Sequence, residues 1–101
     1  MGQEAIATFR ACIPLFHALG DPARQDIVLL LAEVEKLTVN EITDKSTLSR
    51  PAISHHLKIL KDQGLVSIEQ RGTKRYYSLS FEHSISILKK LIELVEETCL
   101  D

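Results

Sequence analysis

Residues 38–64 read TVNEITDKSTLSRPAISHHLKILKDQG, and this stretch decides the fold. Thr38 followed three residues later by Glu41 is a capping-box pattern, so a short helix of about two turns begins there and carries Val39 and Ile42. Ser46-Thr47-Leu48 interrupts it. Ser49 then offers an N-cap for a longer helix running through Leu60 to Gln63, and Gly64 stops that helix at a C′ position. Two helices across a tight turn make a helix-turn-helix. At 100° per residue, Leu57 and Leu60 cluster with Ile53, while Pro51, Ser54, His55, Lys58 and Asp62 fall on the opposite side. His56 flanks the apolar side and reads as a half-buried histidine bonded to nearby backbone.

The chain on either side continues the pattern. Ala5, Ile6, Phe9, Ile13 and Phe16 recur at helical spacing, so residues 3–19 form a first amphipathic helix that contains Pro14 and ends at Gly20. Pro14 is expected to kink it. Asp21 can cap a second helix with Pro22 at its first position, and Ile27, Leu30, Leu31 and Val34 carry that helix from 22 to 36. After Gly64, the β-type runs Leu65, Val66, Ile68 and Tyr76, Tyr77, Leu79 flank Gln70-Arg71-Gly72-Thr73-Lys74, giving a hairpin with a cationic, Gly-containing tip. From Phe81 onward, Ile85, Leu88, Ile92 and Val95 form one apolar stripe, widened by Ile87, Leu91 and Leu94. A helix this apolar needs a partner. The order is α-α-α-α-β-β-α, mainly α with one small β-hairpin, which is that of a winged helix-turn-helix.

Composition agrees with one globular domain over residues 1–101. Apolar residues make up 45% of the chain and aromatic residues only 5%, which suits a folded, mainly helical protein, and a domain this small gains from a shared subunit interface. No apolar run approaches the roughly 20 residues needed to span a bilayer, and Glu4 stands where a signal peptide would be basic. A cytoplasmic protein without membrane contact is expected. Cys12 and Cys99 lie near opposite ends, without the spacing of a metal or redox motif.

The net charge of −2 conceals a division along the chain. Residues 1–44 carry three basic and seven acidic side chains, net −4; residues 45–75 carry seven and two, net +5; residues 76–101 carry two and five, net −3. The basic segment coincides with the helix-turn-helix and the hairpin. Apolar anchors behind, with short hydroxyls, an imidazole and cations in front, are what a helix entering the major groove requires. Ser49, Arg50, Pro51, Ser54, His55 and Lys58 are therefore the expected DNA contacts of the fourth helix. Arg71, Lys74 and Arg75 at the hairpin tip are expected to lie along phosphates or enter the minor groove.

The segments 16–24 (FHALGDPAR), 49–60 (SRPAISHHLKIL), 64–66 (GLV) and 72–77 (GTKRYY) together resemble the ArsR family of bacterial transcriptional regulators, over nearly the whole chain. The resemblance implies a homodimer in which the first and last helices, residues 3–19 and 81–98, pair across a two-fold axis. It also implies a repressor on a palindromic operator of double-stranded DNA. Many metal-sensing members carry Cys-x-Cys on the third helix; the matching positions here are Thr38 and Asn40, poor ligands for soft metals. Where others bind zinc across the paired last helices, this chain has Phe81, His83, Leu94 and Glu97, two usable ligands of four. No metal or cofactor is expected, and the sequence names no inducer.

Two other readings remain beside this one. A winged helix can serve protein contacts alone, in which case its groove face would lack cations. Alternatively the repressor answers to redox state or a soft metal through Cys12 and Cys99, which the resemblance places on the two pairing helices; two buried packing thiols are the plainer account. An enzyme has no support, since no H-E-x-x-H, G-x-S-x-G or phosphate-cradling glycine loop occurs.

Overall fold

The computed structural model describes the backbone of residues 2–99 and the side chains of residues 2–98. Seven elements follow in order: α1 (Gln3–Leu19), α2 (Pro22–Glu33), α3 (Val39–Asp44), α4 (Arg50–Asp62), β1 (Val66–Arg71), β2 (Lys74–Leu79) and α5 (Glu82–Cys99). The fold is mainly helical with one antiparallel hairpin.

Local chemistry sets most of these boundaries. The Asp21 carboxylate accepts the Ala23 and Arg24 N–H groups at 2.8 and 3.3 Å, capping α2 ahead of Pro22. Thr38 and Glu41 close the expected capping box on α3, with Thr38 N donating to Glu41 Oε1 at 3.0 Å and Glu41 N to Thr38 Oγ1 at 3.2 Å. Ser49 Oγ accepts from Ala52 N at 3.3 Å and starts α4. Gly64, at φ 70, ends that helix. Its N–H donates to Lys61 O and the N–H of Leu65 to Leu60 O, both at 2.9 Å, which is the paired bonding of a Schellman motif. Leu60 and Leu65 are both buried beside it.

Ile42, Ile53, Leu57 and Leu60 fill the centre of the core, joined by Ile27 and Leu31 of α2 and Leu15 and Ala18 of α1. α4 therefore buries the face expected of it.

Three expectations are corrected. α2 ends at Glu33, not 36, because Val34 is extended and the chain continues to Leu37, which exchanges two backbone hydrogen bonds with Tyr77 at 2.7 and 3.1 Å. The hairpin has a two-residue tip in place of five: Arg71 pairs with Lys74, leaving only Gly72 and Thr73 in the turn. Gly72, at φ 62, supplies the positive φ that such a tight turn needs at its first central position. α1, by contrast, spans Gln3–Leu19 as expected and contains Pro14. The last helix is offset by one residue, 82–99 for the expected 81–98, since the Phe81 carbonyl accepts its first helical bond from Ile85 N.

The apolar stripe of α1 lies outside the protomer's core. The buried residues of this helix are Ala5, Thr8, Cys12, Leu15 and Ala18, whereas Ile6, Phe9, Ile13 and Phe16, read from the sequence as the amphipathic stripe, are 39%, 49%, 49% and 42% exposed. Ile85 and Ile92 of α5 are likewise open. Cys12 is fully buried; the side chain of Cys99, the other half of the expected thiol pair, lies outside the described residues.

Candidate nucleic-acid interface

α4 shows a polar face opposite its buried Ile53, Leu57 and Leu60. Arg50, Pro51, His55 and Lys58 are exposed and Ser54 is half-buried. Pro51 sits in the first turn, where a missing N–H costs nothing. The Ser49 hydroxyl oxygen is engaged as the N-cap, so its demonstrated part is to start the helix. His55 projects beside His56, ring centroids 5.8 Å apart.

His56 is half-buried, as its helical position requires, but its partner is a side chain and not backbone. Arg24 Nη1 donates to His56 Nδ1 at 3.2 Å, which needs that nitrogen to be unprotonated. The same guanidinium donates through Nε to Ala18 O at 2.7 Å and through Nη2 to His17 O at 3.2 Å. The last carbonyls of α1 are thereby tied to the recognition-type helix through one buried arginine.

The hairpin stands next to α4. A cleft of about 610 Å³ lies between β2, the start of α3 and the start of α4, and Arg50, Ser54, Lys74 and Arg75 all line it, with Asn40 and Thr73. The structure thus brings cations from the helix and the hairpin to one concavity. Lys74 and Arg75 are exposed and make no ion pair among the described residues. Lys58 and Arg71 are exposed too, but each faces a carboxylate: Lys58 Nζ lies 3.1 Å from Asp62 Oδ2, and Arg71 Nε lies 2.9 Å from Glu69 Oε1. Glu69 also receives Lys36 Nζ at 2.6 Å. Those two hydrogen bonds, Lys36 first and then Arg71, hold the Glu69 carboxyl below its ordinary range. Glu41 is lowered chiefly by the Thr38 backbone N–H and hydroxyl, with Lys74 and Lys45 adding electrostatic pull.

Asn40 is the residue that sequence reasoning missed. Its Oδ1 accepts from Arg50 Nε at 2.7 Å, a contact between side chains ten positions apart on different helices. No periodicity could signal it.

His83 and Glu97, the two surviving positions of the family's zinc pattern, are both exposed on α5. Fourteen residues apart on one helix, they are separated by about 21 Å along the axis and cannot share an ion within one protomer. Among the described residues no group of three or more His, Cys, Asp or Glu side chains could hold a metal, and no helix is long and apolar enough to cross a membrane.

Known proteins resemble this chain in sequence and in shape. The family described as bacterial regulatory protein, arsR family, matches residues 21–67. An uncharacterized HTH-type transcriptional regulator of Methanocaldococcus jannaschii is 40% identical over 83 residues, covering 82% of this chain and 89% of that one. The transcriptional repressor SdpR of Bacillus subtilis is 39% identical over 66 residues, covering 65% and 72%. Among solved structures, a homodimeric winged helix-turn-helix DNA-binding domain from Mycobacterium bovis superposes with a TM-score of 0.72 at 25% identity, covering 100% of this chain and 92% of that domain.

Proposed function

The chain belongs to the arsR family of bacterial regulatory proteins, and from that premise we propose that it is a transcriptional repressor binding duplex DNA sequence-specifically as a homodimer on a palindromic operator. It acts in the cytoplasm and has no catalytic role. The observation that carries the reading is the cleft where Arg50 and Ser54 of α4 meet Lys74 and Arg75 of the wing. A helix presenting short polar groups enters a major groove, and adjacent unpaired cations take the phosphates that flank it.

Roles follow from the geometry. Ser54 and His55 read base edges. Lys74 and Arg75 hold phosphates. Lys58 and Arg71 contribute less than their charge suggests, because Asp62 and Glu69 already face them. Ser49 and Pro51 shape the N-terminus of the helix and lie against the backbone of the DNA. The exposed apolar residues of α1 and α5 form the interface between protomers, which sets the two recognition helices about one turn of DNA apart. Burial leaves Cys12 without the solvent access that a reactive thiol needs, so its part in this reading is packing.

The test is a salt titration on random duplex DNA followed by selection of a preferred site from a randomised duplex pool. Binding that weakens steeply with salt, and a selected site with two-fold symmetry, support the proposal. No binding at low salt would leave a winged helix used for protein contacts.

A further inference from the structure

The seven cations of residues 45–75 differ in how they are held. Lys58 and Arg71 are opposed by carboxylates. Arg50 is exposed and fixed by a neutral partner, the Asn40 amide oxygen at 2.7 Å from its Nε. A neutral acceptor orients the guanidinium without cancelling its charge. Among the described residues Arg50 has no other hydrogen-bond or ion-pair partner, so both terminal amino groups keep their donors. With Nε engaged, the edge left for bidentate bonding is the Nη1–Nη2 pair, whose spacing matches O6 and N7 of guanine.

The support behind Asn40 is rigid. It stands in the first turn of α3, whose start is fixed by the reciprocal Thr38–Glu41 bonds. Arg50 stands in the first turn of α4, one turn before Ser54, and both line the same cleft with Asn40. A flexible side chain loses less freedom on binding when it is already held in its bound orientation.

We infer that Asn40 is a positioning residue for specificity: it holds Arg50 so that Arg50 reads a guanine in each half-site, and Asn40 does not itself contact the DNA. This rests on the proposed reading of α4 as a DNA-reading helix.

The experiment uses the full chain. A site is selected from a randomised duplex pool, and affinities are then measured for every single-base change in that site with wild type, Arg50→Ala, Asn40→Ala and the double variant. Wild type is expected to favour guanine at one position of each half-site by roughly tenfold or more. Arg50→Ala erases that preference. Asn40→Ala weakens it at the same position only, and the double variant matches Arg50→Ala, because the amide acts through the guanidinium. Both side chains are exposed, so the unfolding midpoint should stay put and keep the comparison clean. If Asn40→Ala changes the preference at a different base pair, or adds to Arg50→Ala in the double variant, Asn40 contacts DNA directly and the inference is wrong. An unchanged profile in Asn40→Ala also overturns it. Should wild type select no site at all, the DNA-binding reading fails and the inference with it, an outcome distinct from the others.

Discussion

Arg24 is 6% exposed, and a charged group that deep persists only when its donors are used. Its three bonds, to Ala18 O, His17 O and His56 Nδ1, use donors on all three guanidinium nitrogens, and Asp21 stands 3.9 Å away. Two of the acceptors are carbonyls in the last turn of α1, where helical donors run out; His17 O also takes the Gly20 N–H, at 3.3 Å. Arg24→Met should therefore lower unfolding free energy by about 2–3 kcal/mol, and Arg24→Lys should fail to restore it, since one ammonium cannot replace a planar fork; urea unfolding of the three proteins checks this. Arg24 closes one of the segments that carry the family resemblance, but no spacing in the sequence told what it does, because its partners come together only when the chain reverses at Gly20. The caps at Asp21, Thr38 and Ser49 were legible, since their donors lie two or three residues ahead. Asp21 and Glu41 at two of these caps, together with Glu69 of the wing, carry a pH signature. Glu41 and Glu69 are held below their ordinary range by hydrogen bonds. Asp21 is raised by partial desolvation but lowered overall, by the Arg24 and Ala23 N–H groups and the Arg24 charge. A carboxyl lowered in the folded state lends stability above its unfolded value, and that contribution is lost as pH falls through the folded one. Unfolding midpoints followed downward from pH 6 should thus fall as the medium passes below the ordinary carboxylate range, and less so in Glu41→Gln, which lacks one of the titrating groups. Equal pH slopes for both proteins would contradict the assignment.

The wing shows what element-level reading can and cannot reach. Its two strands were visible as β-branched and aromatic runs, but polar residues 70–74 were read as loop because charge and a glycine usually mean a turn. Register decides otherwise: Gln70 pairs with Arg75 and Arg71 with Lys74, so the strands project their cations almost to the tip. The same wing is anchored at its base by residues distant in sequence, through Leu37 with Tyr77 and Lys36 with Glu69. That anchor ends α2 early, a tertiary effect that the apolar spacing of α2 could not announce. Glu69 has two effects here, since it ties the wing to the linker after α2 and restrains Arg71. Glu69→Gln should release both cations and remove one negative charge beside the wing. Binding to random duplex DNA is expected to strengthen a few-fold, with a salt slope steeper by up to about 0.9 if Arg71 gains a phosphate. A filter-binding titration between low and moderate salt measures both, and a slope unchanged from wild type would mean that Arg71 stays away from the backbone.

At the scale of the whole molecule, the protomer is long for its size. Its Cα radius of gyration is 16.0 Å and its extents are 52 × 25 × 20 Å, against about 13 Å expected for a compact chain of this length. α1 packs on α5, and the residues that α1 buries outside the central core are the small Ala5, Thr8 and Cys12. Leu15 and Leu91 are buried, but several other large apolar residues of the two helices remain outside: Phe9 is 49% exposed, Ile13 49%, Phe16 42% and Ile92 57%. The periodicity of α1 thus marks an apolar stripe without saying which surface covers it, because spacing cannot tell a protomer's interior from a partner's surface; only the resemblance assigned that stripe to a partner. Covering such side chains is worth roughly 1.5–3 kcal/mol for each one fully buried, so four or more on each of two protomers amount to a strong association. A charge placed among them should split the homodimer while leaving the winged helix folded, since none belongs to the central core. Phe9→Glu is accordingly expected to sediment as a monomer with an unchanged helical spectrum. Its affinity for a full palindrome should drop by at least about a hundredfold, because the second half-site no longer benefits from the tether, whereas the base preference within one half-site should persist. Leu29→Glu is the control: Leu29 is 64% exposed on α2, beside the groove that α2 forms with the α3–α4 turn, and should leave the dimer intact. If Phe9→Glu remains a dimer, or if Leu29→Glu is the variant that dissociates, the protomers meet through a different face, and the spacing of the two recognition helices would have to be derived from that face instead.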